Sequence, residues 1–148
     1  MFAGQRYLGG RTPNPDFILN QDEYIGATVL FGGSNFGCGS SREHAVWALK
    51  EYGILAVVAE SFGEIFYGNM IGNGLLPIQL SGDAIDVLPK TVEIDLPNQM
   101  ISGQSFEIDP SAKRRLVEGL DAIAETLQSR DKIEAWLKQD QRERSWVY

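Results

Sequence analysis

Apolar positions along this chain change their period several times, and each change predicts an element. Ala27-Thr28-Val29-Leu30-Phe31 is a continuous apolar run, the pattern of a strand buried on both faces. A polar, glycine-rich stretch follows, and then Ala45, Ala48, Leu49 and Tyr52 recur at i, i+3, i+4 and i+7, the spacing of a helix face. After Gly53 a second run, Ile54-Leu55-Ala56-Val57-Val58-Ala59, predicts another buried strand. Strand, turn, helix, strand is a βαβ unit with parallel strands and a right-handed crossover. Phe62, Ile65 and Phe66 then mark a short helix with Ser61 as its N-cap, ending between Asn69 and Gly74. Leu75 to Leu80 reads as a third strand, whose Pro77 suits an edge.

From Thr91 the period falls to two. Val92, Ile94 and Leu96 alternate with polar residues, Pro97-Asn98 marks a turn, and Ser105-Phe106-Glu107-Ile108 alternates again, predicting an antiparallel hairpin region. Pro110-Ser111 opens helical patterning with Leu116, Leu120, Ile123 and Leu127 on one side, divided by Gly119. A last amphipathic segment, Asp131 to Gln139, groups Ile133, Trp136 and Leu137, and the charged stretch from Gln141 to Arg144 is expected to fray or to make contacts. Residues 1–26, rich in Gly, Pro and Asn, read as loop. The fold class expected is α/β: one domain over residues 1–148 with a short parallel βαβ element, an antiparallel hairpin and C-terminal helices.

Composition narrows the classes. Apolar residues make up 43% of the 148 and charged residues 22%, ordinary for a globular chain. No apolar run approaches the roughly 20 residues that span a bilayer, and the first residues lack the apolar core of a secretory signal. A single cysteine forms no internal disulfide, which points to a reducing, cytoplasmic compartment. A net charge of −7 argues against nucleic acid, so any anionic ligand has to be held by a local site working against the overall field.

Such a site is Asn35-Phe36-Gly37-Cys38-Gly39-Ser40-Ser41-Arg42-Glu43-His44-Ala45, placed between the carboxyl end of a strand and the amino end of a helix. Helix N-termini carry unpaired N–H groups and partial positive charge. Gly37 and Gly39 permit close backbone approach, Ser40 and Ser41 fall at or near the N-cap, and Arg42 offers a fork for a carboxylate. The stretch is no P-loop, since no Gly-Lys-Ser/Thr ending is present, and Arg42 stands where a dinucleotide turn needs its third glycine. Local chemistry reads equally as an anion site or as a connector with a serine cap and a surface Arg42–Glu43 pair.

These residues, with Ser61-Phe62-Gly63-Glu64-Ile65-Phe66-Tyr67-Gly68-Asn69, Gly74-Leu75-Leu76-Pro77, Pro13-Asn14-Pro15-Asp16-Phe17 and Gly119-Leu120-Asp121-Ala122-Ile123, resemble the small-subunit family of 3-isopropylmalate dehydratase. That family is the separate-chain version of the aconitase swivel domain, and the resemblance implies the swivelling β/β/α fold. It also implies a hydro-lyase subunit of leucine biosynthesis, active only with an iron–sulfur large subunit whose 4Fe-4S cluster acts as Lewis acid. Carried over, Ser40 is the catalytic base, Ser41 orients a substrate carboxylate and Arg42 binds it; the substrate is a small dicarboxylic 2-hydroxy acid. Related hydro-lyases (homoaconitase or a methylmalate-type isomerase) share these motifs, and an inactive accessory domain is the non-enzymatic alternative. The family's usual N-terminal segment and substrate-sensing loop are expected to be absent from this chain.

Three residue types invite other readings. One Cys and one His cannot hold an iron–sulfur cluster, so no metal is expected on this chain and Cys38 is not taken as a ligand or nucleophile. His44, inside the helix start, reads as a supporting hydrogen-bonding residue rather than a general base. Trp47, Trp136 and Trp146 read as core or interface.

Overall fold

The structure, a computed structural model, describes residues 2–39 and 42–147. Its frame is a three-stranded parallel sheet, β1 (Val29–Gly32), β2 (Ala56–Ala59) and β3 (Leu76–Gln79), in the order β1-β2-β3. The register sets Leu30 and Pro77 on either side of Val57. All four residues of β2 are buried, as its unbroken apolar run requires of a central strand. Pro77 lies in the middle of β3, and β3 is an edge of this sheet, where a missing N–H on the outer side costs no ladder bond.

Helices α2 (His44–Tyr52) and α3 (Glu64–Gly72) are the two crossover connections. They cover one face of the sheet, where Val46, Leu49, Ile54, Val57, Phe66, Met70 and Leu75 form a core. Alternation along β2 sends Ala56 and Val58 to the opposite face, into a second core with Ile78, Leu80, Ile101 and Phe106. That second core is closed by α4 (Gly82–Asp86) and by an antiparallel sheet of β4 (Ile94–Asp95), β5 (Met100–Ile101) and β6 (Gln104–Ser105). The expected hairpin is thus a three-stranded meander, with the predicted Pro97-Asn98 turn between β4 and β5.

The C-terminal helices follow the predicted pattern with longer bounds. α5 (Pro110–Glu118) starts on an Asp109 cap that accepts from the Ser111 and Ala112 amides, and it stops at Gly119, which takes φ 66°. Beyond it run α6 (Ala122–Leu127) and α7 (Arg130–Glu143), so the stretch expected to fray from Gln141 is helical to Glu143. The first 26 residues are mostly irregular, as expected, with a single-turn helix α1 (Ala3–Arg6) and three short 3-10 turns. Trp136 and Trp146 are exposed, and Trp47 is half-exposed with its indole N–H donating to Asn73 Oδ1 at 2.8 Å; none of the three is a core residue.

Candidate active site

The strand-to-helix corner after β1 is built by contacts that only glycine allows. Residues Asn35 to Gly39 turn from the end of β1 toward α2, and Asn35 itself has φ 56°. Phe36 joins Phe62 in an isolated parallel bridge: its N–H donates to the Ser61 carbonyl at 2.8 Å, and its carbonyl accepts from the Gly63 N–H at 2.9 Å. Ser61 Oγ accepts from the Asn35 N–H at 2.7 Å, and the Ser34 hydroxyl donates to Glu60. The corner is therefore stitched to the carboxyl end of β2 by backbone and side chain together.

Two close approaches lock it. Gly37 has φ 79°, and a Cβ there would lie 2.2 Å from the Phe66 ring. A Cβ on Gly63 would lie 3.0 Å from Cys38 Cα. The Phe36 ring packs edge-on to Phe66, with ring centroids 5.6 Å apart, and to Phe62 at 6.3 Å. A rigid aromatic wedge thus fixes the path of the backbone up to Gly39.

This geometry corrects one expectation about caps. α2 begins at His44 with Glu43 as N-cap, and no described side chain caps it. Ser61 is not the N-cap of α3. That position is Gly63, while Ser61 supports the Asn35 amide instead. The Ser61-Phe62-Gly63 run is the support of the corner, a role that periodicity alone does not reveal.

Of the proposed site residues, Arg42 is described: it is exposed and sits in the turn entering α2, its carbonyl accepting from the Ala45 N–H. Ser40 and Ser41 lie outside the described residues. Gly39 and Arg42 are their described neighbours in sequence. Cys38 is exposed on the corner. His44 is exposed and its ring lies against Trp47, 4.8 Å between centroids, a contact within α2. Among the described residues no three His, Cys, Asp or Glu side chains converge on a point that could hold a metal, and no helix is long and apolar enough to cross a membrane.

Beside the corner lies an apolar cavity of about 340 Å³, walled by Phe36, Ala45, Ala48, Leu49 and Phe66 and reached by Phe2, with Gly37 to Gly39 as one rim. The corner thus offers three kinds of surface at once: a helix N-terminus, an arginine and an apolar wall.

The chain is similar to known proteins. The profile of the aconitase C-terminal domain matches residues 2–83. A 3-isopropylmalate dehydratase small subunit of Rhodopseudomonas palustris (strain BisA53) is 46% identical over 99% of this chain and 80% of its own length. One from Staphylococcus aureus (strain MSSA476) is 52% identical over 93% of this chain and 75% of its own length. The crystal structure of a 3-isopropylmalate dehydratase from Methanocaldococcus jannaschii superposes with a TM-score of 0.56 at 37% identity, covering 72% of this chain and 66% of that one.

Proposed function

This chain belongs to the small-subunit family of 3-isopropylmalate dehydratase, within the aconitase C-terminal domain family, and we propose that it interconverts 2-isopropylmalate and 3-isopropylmalate as one half of a two-subunit enzyme. The family is one of hydro-lyase subunits serving leucine biosynthesis, and a small subunit has a large-subunit partner. The observation that carries the reading is the locked corner. A glycine-dependent turn, held by the carboxyl end of β2 and the Phe36–Phe66 wedge, fixes the chain up to Gly39, three residues before Arg42 at the entry to α2.

The reaction moves a hydroxyl between adjacent carbons through an alkene, so a proton must leave one carbon and later return. Arg42 grips a substrate carboxylate through two parallel hydrogen bonds, a task for which a guanidinium fork is shaped and an ammonium is not. Ser41 orients the same carboxylate. Ser40 Oγ takes the proton. A serine oxygen is basic enough only where donors and positive charge stabilise its alkoxide, and the helix N-terminus beside Arg42, sealed from water by the large subunit, supplies both.

One cysteine cannot hold a four-iron cluster, and this chain does not fit that group as its own; the 4Fe-4S cluster is assigned to the large subunit. The single thiol, without an internal partner for a disulfide, suits the cytoplasm.

The test is reconstitution with the large subunit and assay with 2-isopropylmalate. Ser40→Ala is expected to abolish turnover while assembly persists; near-native turnover would remove Ser40 as the base. Arg42→Lys is expected to raise KM more than it lowers kcat.

A further inference from the structure

The parallel sheet has two edges, and they are not alike. Leu76 and Leu80 donate their N–H groups toward β2, to the Leu55 and Ala59 carbonyls, so by alternation Pro77 and Gln79 face outward. Pro77 has no N–H to offer there, and this edge is guarded. Along β1 the Thr28 carbonyl accepts from the Leu55 and Ala56 amides, which turns the N–H and C=O groups of Val29 and Phe31 outward. Among the described residues none bonds to those groups. No proline or charged residue guards this edge, since residues 24–33 contain neither.

We propose that β1 pairs antiparallel with β1 of a second copy of this chain, about a two-fold axis at Leu30, joining the two parallel sheets into one. The backbone register supports this. With Leu30 opposite Leu30, each Val29 faces Phe31 of the other copy, and every such pair exchanges both of its N–H···O bonds. The side chains agree with that register. Val29 and Phe31 share a strand face, and Phe31 is exposed. Pairing sets Phe31 of the second copy beside Val29, over a groove of about 440 Å³ whose lining includes Ile25, Phe31 and Val92. An aromatic ring opposite a β-branched side chain is a favourable cross-strand pair. Charge points to the same occupant. Copies of a chain with net charge −7 repel each other, so they meet best through an uncharged segment such as 24–33. Lys90 flanks the start of β1, and Glu60, which accepts from the Ser34 hydroxyl, flanks its end. Antiparallel pairing brings the Lys90 end of each copy to the Glu60 end of the other. Pro77 at the far edge stops the sheet from growing, so the assembly closes as a pair.

The full chain is tested alone and assembled with the large subunit. Light scattering across a concentration series is expected to carry the chain alone toward twice its single-chain mass of 16.4 kDa, and to show a pair of small subunits in the assembled enzyme. The Val29 and Phe31 amides should exchange at least about tenfold more slowly in the paired chain than at dilutions where it is single. Phe31→Lys supplies the charge that guarded edges carry and should weaken association at least about tenfold. Phe31→Thr, which keeps strand propensity without a charge, should act in the same direction if the lysine variant does not fold. Ile123→Lys makes the same change at an exposed position of α6 and should leave association within about twofold. A single small subunit in either preparation, free exchange of the two amides in the associated chain, or association that survives the Phe31 variants would overturn the pairing. So would equal weakening by Ile123→Lys, or protection of the two amides only when the large subunit is added, which would give the edge to that subunit.

Discussion

Helices α2 and α3 on one side, and α5 to α7 on the other, all place apolar residues at helical spacing, yet those residues meet opposite fates. Val46 and Leu49 of α2, and Phe66, Met70 and Ile71 of α3, are buried against the parallel sheet. Along α5 to α7 the apolar positions Val117, Ile123, Leu127, Ile133 and Trp136 remain exposed, Ile123 at 70%. The aconitase profile covers the first pair and stops at residue 83. Helical spacing of apolar residues specifies a face; it does not specify what covers that face.

The sharpest way to break this comparison is to truncate one side chain on each side of it. Met70 is fully buried between α3 and β2, so Met70→Ala should cost about 2–5 kcal/mol, the usual range for emptying a core site. Trp136→Ala, by contrast, should change stability by about 0.5 kcal/mol or less, as substitutions outside packed regions do. Urea denaturation of both variants reads the difference directly. Equal losses would mean that α7 is part of the same cooperative core.

A second, smaller effect separates the corner from the core that supports it. Gly63→Ala pushes a methyl group to within 3.0 Å of Cys38 Cα, a backbone atom that cannot swing aside. The expected stability cost is about 1–3 kcal/mol, in the range of overpacking. The expected loss of turnover in the reconstituted enzyme is larger than that cost implies, because displacing the Gly37–Gly39 backbone by a fraction of an ångström would misalign a site built on it. Full activity in a destabilised Gly63→Ala chain would show that the corner's path is not what positions the chemistry.

These contrasts also show what the sequence made legible. Apolar runs identified all three parallel strands and the switch to period two located the antiparallel region. The expected burial on both faces holds only for the central β2: β1 is an edge strand and its Phe31 is exposed. Gly37, Gly39, Ser40, Ser41 and Arg42 at a strand-to-helix turn read locally as an anion site or a capped connector alike, and the longer motifs of the family resemblance singled out the former. Hidden from that reading were long-range partners. Ser61 looks like a cap by local rules, but the Asn35 amide, 26 residues away in sequence, claims its hydroxyl. Local signals identify which groups need partners; the tertiary fold decides which partner each receives.

Caps whose partners are local behave as the rules expect, and one of them gives the next effect in size. Asp109 accepts from the amides of Ser111 at 2.9 Å and Ala112 at 3.0 Å, at the start of α5. Asp109→Ala should therefore cost about 1 kcal/mol, within the 0.5–2 kcal/mol of lost N-caps. Amide exchange within α5 should accelerate while that of α2 and α3 does not. Acceleration throughout would mean that the two groups of helices open together.

The smallest effect probes the seam where the two groups touch, between α3 and the start of α5. Tyr67, on α3, has its pKa raised above the ordinary 10.0, first by desolvation and then by the nearby Asp109 carboxylate. Because the folded chain holds this phenol proton more tightly than the unfolded chain, the contribution is complete below pH 10 and is lost as the pH rises past that value. The ring is only partly buried, so solvent screening keeps the loss small. Denaturation midpoints measured from pH 9 to pH 11 should fall slightly more steeply for the wild-type chain than for Tyr67→Phe, which has no proton to lose. Asp109→Asn, which keeps the cap's oxygen but removes its charge, should lie between them. A Tyr67→Phe profile parallel to the wild type would mean that the phenol does not feel the seam, and that α3 and α5 touch without being coupled electrostatically.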